Sequence, residues 1–241
     1  MNINKLLFVF SICISPAITG VAQTPKVTAR EILDRHIIAI GGNNWKKINN
    51  IRLSGTMKQM GMEMEIVQTT IENKGSRTDI SMGNQKGFII LTPAKGWMYI
   101  PFGGMQVQPR EMGSEELAAN NAKMNYKFAQ LTDLSLIAEA EYTGMDTADN
   151  VDCYKLILTD KKNIKHTCYI DKTNLYTKRM ISKADAGGTG TDIVITFKNF
   201  QKQNEGITIP MTVTTNEGKI YFSKLTINTS VSDDILSPVV K

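Results

Sequence analysis

Histidine is scarce in this 241-residue chain: His36 and His166 are the two it has. H-E-x-x-H, G-x-S-x-G and paired Cys-His patterns are missing as well, which removes the usual signatures of zinc, serine and thiol hydrolases. No pattern brings His36 and His166 together, so neither a metal site nor a catalytic site is expected of them, and no cofactor is implied. His36, beside the apolar face of a helix, is expected to be partly buried, and His166 to face solvent from a strand. Long apolar runs are also lacking. The one from Leu6 to Ile14 is far short of the roughly 20 residues that span a bilayer. Blocks of like charge are absent too: the net charge is +5, but its lysines are interspersed with acids rather than striped, so no nucleic-acid partner is expected. With no Pro/Ser-rich linker and no internal repeat, nothing divides the chain into domains.

The N-terminus has the three parts of an export signal. Lys5 is the positive flank, Leu6 to Ile14 the apolar run, and Gly20 and Ala22 the small residues at −3 and −1 to a cut before Gln23. Residues 1–22 are therefore read as a signal peptide and 23–241 as a single exported domain, periplasmic or secreted. Cys13 follows Ile12 rather than small residues, which argues against a lipidated cysteine. Cys153 and Cys168 remain, in a compartment that permits a disulfide. If Lys162 and Asn163 form the tip of a hairpin, Cys168 falls opposite Ile157. Cys153 then lies four residues along the same face, about 13 Å away at ~3.4 Å per residue, too far to bridge. A shifted register permits the bond, so the pairing stays open.

Thr28 and Glu31 form a capping box, Leu33, Ile37 and Ile40 share a helical face, and Gly41 ends the helix. The period then becomes two. Strand-like runs cover residues 51–58, 62–66, 77–82, 87–91 and 96–100; after a second helix from Ser114 to about Phe128, further runs cover 139–147, 151–159, 164–171, 175–183, 192–200, 207–216 and 219–228. The expectation is an α+β, mostly antiparallel fold: an incomplete, half-open β-barrel of about 11 strands, 12 at most, covered by helices. Such a sheet curls and has a hollow. By strand parity, Leu53, Met57, Met62, Met64, Ile66, Ile80 and Met82 are set to line it from the first half of the chain, with Trp97 and Tyr99. Leu156, Ile195, Phe197, Met211 and Val213 line it from the second half. Methionine suits an adaptable apolar surface that accepts a floppy ligand, and suits equally a core packed under helices. Trp97 and Tyr99 either line the hollow or lock a helix to the sheet.

Two further motifs attract attention. Asp146, Asp149 and Asp152 recur every third residue, but lack the alternation, internal Gly and final Glu of a calcium loop, so a solvated turn is expected. Gly187-Gly188-Thr189-Gly190 precedes no helix pattern and is expected to be a hairpin tip, not a phosphate loop.

The stretch Gly96-Trp97-Met98-Tyr99-Ile100-Pro101-Phe102 resembles the W-x-Y-x-P strand end of LolA-like outer-membrane lipoprotein-sorting proteins. The order of elements around it is similar, as is the tail Asp233-Asp234-Ile235-Leu236-Ser237-Pro238. Glu31 to Asp34 with Gly41-Gly42, and Tyr169-Ile170-Asp171 with Thr173 and Leu175, look like the version in exported proteins of the Bacteroidetes type. The likeness spans about residues 26–240. It implies a periplasmic carrier, not an enzyme, that shields acyl chains of lipoproteins or other lipids in its apolar hollow for delivery to the outer membrane. An inner-membrane donor and an outer-membrane acceptor are the implied partners. The alternative is a non-catalytic envelope module with a filled core and a protein partner. Where proteobacterial members carry an arginine between the second and third strands, this chain has Asn73-Lys74-Gly75, with Lys74 the nearest cation.

Overall fold

The computed structural model describes residues 27–104, 106–124, 130–183, 192–232 and 234–239; the proposed signal peptide and the Gly187–Gly190 tip lie outside these. Thr28 starts helix α1 (Ala29–Ala39) through the expected capping box: its hydroxyl accepts the Glu31 N–H at 3.2 Å, and the Glu31 carboxylate accepts the Thr28 N–H at 2.8 Å. Ile32 and Leu33 are buried on one side of α1, with Ile40 just past its end. At Gly41 the chain turns with φ +124°, and a Cβ there would sit 2.6 Å from the Gly206 carbonyl oxygen, so only glycine fits. A 3-10 turn, Gly42–Lys47, follows and buries Trp45, whose indole N–H donates to the Ile40 carbonyl at 2.9 Å.

All strands among the described residues belong to one sheet. Its strands are β1 (Asn50–Gln59), β2 (Met62–Ile71), β3 (Gly75–Met82), β4 (Gln85–Leu91), β5 (Gly96–Tyr99) and β6 (Arg110–Glu111), then helix α2 (Ser114–Met124). After it come β7 (Ile137–Ala148), β8 (Val151–Asp160), β9 (Lys165–Asp171), β10 (Thr177–Lys183), β11 (Asp192–Lys202), β12 (Thr208–Thr214) and β13 (Lys219–Ile227). The spatial order is β6-β5-β4-β3-β2-β1-β13-β12-β11-β10-β9-β8-β7, antiparallel and open, with β6 and β7 as its edges. Every neighbour is also a sequence neighbour except β1 and β13, which join the early half of the chain to the late half. Among the described residues the count is 13 strands rather than about 11. All twelve alternating runs form strands, and the addition is the two-residue β6, too short to show a period.

One face of the sheet carries two apolar clusters. Ile32 and Leu33 of α1 pack with Leu131, Leu156, Cys168, Met180, Ile195 and Phe197, while Ile40 and Trp45 pack with Ile51, Met64, Ile66, Ile80, Phe102 and Met211. This is the inner face, and α1 with its following turn spans both clusters.

The cysteines correct the expected register. The β8–β9 turn takes four residues, because the Asp160 carboxylate accepts both the Lys162 and the Ile164 N–H (2.9 and 2.8 Å). Cys168 therefore pairs with Leu156, not Ile157. Cys168 joins the inner cluster, Cys153 packs with Ala148 and Tyr169 on the other face, and both thiols are free. Burial raises the thiol pKa of each, that of Cys153 to about 11. The same one-residue slip turns His166 inward, opposite Leu158; it is buried, not solvent-facing.

Candidate functional site: the inner face of the sheet

Cross-strand pairs build the inner face. Met57 lies opposite Met64 on β2 and Ile220 on β13, Ile66 lies opposite Ile80, and Val213 lies opposite Phe197 and Ile220. Leu53, Met62, Met82, Leu156, Ile195 and Met211 share that face by alternation. Twelve residues marked by strand parity thus come together.

Trp97 and Tyr99 do not. Trp97 lies opposite Ile90, itself opposite Arg77, and Tyr99 opposite Phe88, itself opposite Asp79. Ile80 has the opposite parity to Arg77 and Asp79 in β3 and points the other way, so the two aromatics are on the outer face. Their shared parity was readable, but not which face it was: Phe88-Ile89-Ile90-Leu91 is apolar throughout, because the sheet is covered on both sides here.

Coverage divides the inner face. Leu156 (0% exposed), Ile195 and Phe197 are closed over by α1 and Leu131. Met64, Ile66, Ile80 and Met211 are also buried. Leu53, Met57, Met82 and Val213 are half-buried despite facing inward, and Met62 is exposed. The less covered part lies toward the end of the sheet that carries the β1–β2 and β3–β4 turns.

His36 pins the helix over the filled part. It is fully buried rather than partly so, with Nδ1 2.6 Å from the Leu175 carbonyl oxygen and Nε2 3.1 Å from that of Gln130. Burial lowers its pKa, against the opposing pull of these two carbonyls. Burial lowers that of His166 too, against Asp160, whose carboxylate is 3.4 Å from Nε2. The unfolded chain therefore takes up protons on these rings before the folded one does. Stability is complete above the unfolded pKa of about 6.5 and falls as pH drops below it. Thermal melts should show Tm decreasing from pH 8 to pH 5.5, with a shallower slope in His36→Gln; an unchanged slope would refute this role for His36.

Sequence reasoning missed Arg77, on the outer face. Its guanidinium is 1% exposed, pairs with Asp79 at 2.6 Å, and stacks 4.5 Å from the Phe88 ring centroid. It donates to the tail carbonyls of Ser237 (2.9 Å), Val239 (3.2 Å) and Ile235 (3.4 Å). The i, i+2 spacing of Arg77 and Asp79 was its local signal; the tail contact is not local. A groove of about 430 Å³ runs beside this strap, lined by Arg52, Lys86, Phe88 and Thr229 among others. Apolar Val67, Ile80, Val231 and Ile235 line it together with charged Arg77 and Asp79. Asp146 pairs with Lys155 at 2.9 Å, and Asp149 with Arg179 at 3.2 Å and Lys198 at 3.7 Å, so these acids serve ion pairs in and beside a turn.

No protein-family model matches the chain, and no curated protein matches it in sequence. Solved structures do match. A DUF1329 family protein from Desulfovibrio piger superposes with a TM-score of 0.57 at 15% identity, over 87% of this chain and 97% of that one. A LolA superfamily protein from Nitrosomonas europaea gives 0.55 at 12%, over 88% and 98%. A domain assigned to outer-membrane lipoprotein sorting, from Vibrio parahaemolyticus, gives 0.53 at 12%, over 86% and 95%. The fold of this chain is LolA-like, and at these identities the likeness is one of fold.

Proposed function

We propose that this chain is an exported carrier that shelters acyl chains of lipoproteins or of other lipids against the inner face of its sheet and delivers them to the outer membrane. The observation that carries the reading is the row Leu53, Met57, Met62, Met82 and Val213, apolar side chains that face inward and yet keep solvent exposure. Hiding each acyl CH₂ is worth about 0.8 kcal/mol, so a chain laid along this row binds without any polar partner. Methionine side chains adjust to a ligand without fixed shape. The folds named above, which include a LolA superfamily protein and a lipoprotein-sorting domain, support the same reading. The setting is the periplasm, with an inner-membrane donor and an outer-membrane acceptor as partners, and no covalent step is part of the cycle.

A second reading, a filled-core envelope module that acts through its surface, draws on the other half of the inner face, where α1 closes over Leu156, Ile195 and Phe197. Displacement of a fluorescent acyl probe separates the two. The carrier reading expects probe binding, weakened roughly tenfold or more in Met57→Glu and Val213→Glu, since an unpaired carboxylate in an apolar site costs several kcal/mol. Equal binding by both variants and the parent would remove it.

A further inference from the structure

Three neighbouring turns at one end of the sheet hold no charged residue, in a chain of which 21% is charged. They are residues 59–62 between β1 and β2, 82–85 between β3 and β4, and 99–109 between β5 and β6. In the first, Gln59 pairs with Met62, and Met60 and Gly61 both have positive φ, +50° and +78°. That is a type I′ turn, whose first central position favours Asn, Asp or Gly, because a left-handed conformation costs other residues roughly 1–2 kcal/mol. Met60 occupies it and is 89% exposed. It has neither a conformational nor a packing reason to be there, and a local rule broken without compensation marks a functional position.

Val107, in the third turn, is 92% exposed, although its loop is held closed by the Gln106 side chain, which accepts the Ile100 N–H at 2.6 Å. Exposed Met62 continues the same surface into the inner row of Met57 and Met82. Lys58 and Lys86 stand just behind the first two tips, both exposed, Lys58 bonded to Glu63 at 3.0 Å. Bulky apolar side chains on uncharged tips, with charged groups of both signs (Lys58, Glu63, Lys86) a few residues behind, suit the boundary between acyl chains and headgroups.

We propose that this end of the sheet docks on the surface of a lipid bilayer, with Met60 and Val107 as the side chains that enter it. This goes beyond the carrier reading, because it concerns the outside of the molecule whether or not the inner face holds a ligand.

The test uses the processed protein recovered from cells, sedimented with vesicles of phosphatidylcholine and phosphatidylglycerol. Parent protein should co-sediment, and Met60→Asn combined with Val107→Asn should lower partitioning at least about tenfold, from the burial lost at two apolar side chains. Met60→Asn alone should keep or raise Tm, since Asn suits the turn. Absence of vesicle binding by the parent, unchanged binding by the double variant, or retention by an envelope protein alone would overturn the proposal. Vesicle binding by a protein that carries no lipid upholds the docking surface while removing the cargo reading.

Discussion

Gly55→Val should lower Tm by about 6–12 °C, the equivalent of roughly 3 kcal/mol in a domain of this size. Gly55 lies in β1 opposite Phe222 of β13, where the register shifts and Ser223 is left over as a bulge. A Cβ on Gly55 would overlap the Tyr221 carbonyl oxygen and lie 2.7 Å from Phe222 Cα. These are backbone atoms in a ladder, and they cannot rotate aside. The β1–β13 pair is the seam between the two halves of the chain, so a loss here weakens every contact across it. Gly113→Ala is the control: nothing stands within 4 Å of its Cβ, and Tm should hold. A Tm for Gly55→Val within 2 °C of the parent would show that the seam tolerates a side chain.

Arg77→Ala should cost about 3 kcal/mol and release the C-terminal strap. Removing one partner of a buried pair costs 3–5 kcal/mol, and the lower figure applies because Asp79, 37% exposed, can return to water. The tail carbonyls of Ile235, Ser237 and Val239 would lose their donors. Hydrogen exchange reads this directly: the amides of Ile235 and Ser237, which close turns onto Ser232 and Asp234, should exchange faster in the variant. Equal protection in both proteins would mean that Arg77 does not hold the tail.

Most of the architecture was legible because burial of one face imposes period two on a strand and a stripe on a helix. Thr28 and Glu31 marked the start of α1, and alternation from Ile51 to Asn228 located twelve of the thirteen strands. Registers were less legible. Asp160 captures two backbone N–H groups and lengthens its turn, which moved Cys168 and His166 one place against the expected pairing. Alternation also assigns residues to the same face without naming the face, and β4 is apolar on both sides, so Trp97 and Tyr99 fell on the outside. The division of the inner face into a covered half and a half-open half depends on where α1 lies across distant strands, which no local pattern encodes.

Whether the half-open inner face holds acyl chains can be read by native mass spectrometry of the protein purified from its own compartment. Lipid or acylated peptide should be bound at near-stoichiometric amount and be recoverable by organic extraction. A clean unliganded mass, with no uptake of added acyl chains, would contradict the carrier reading and leave the filled-core module.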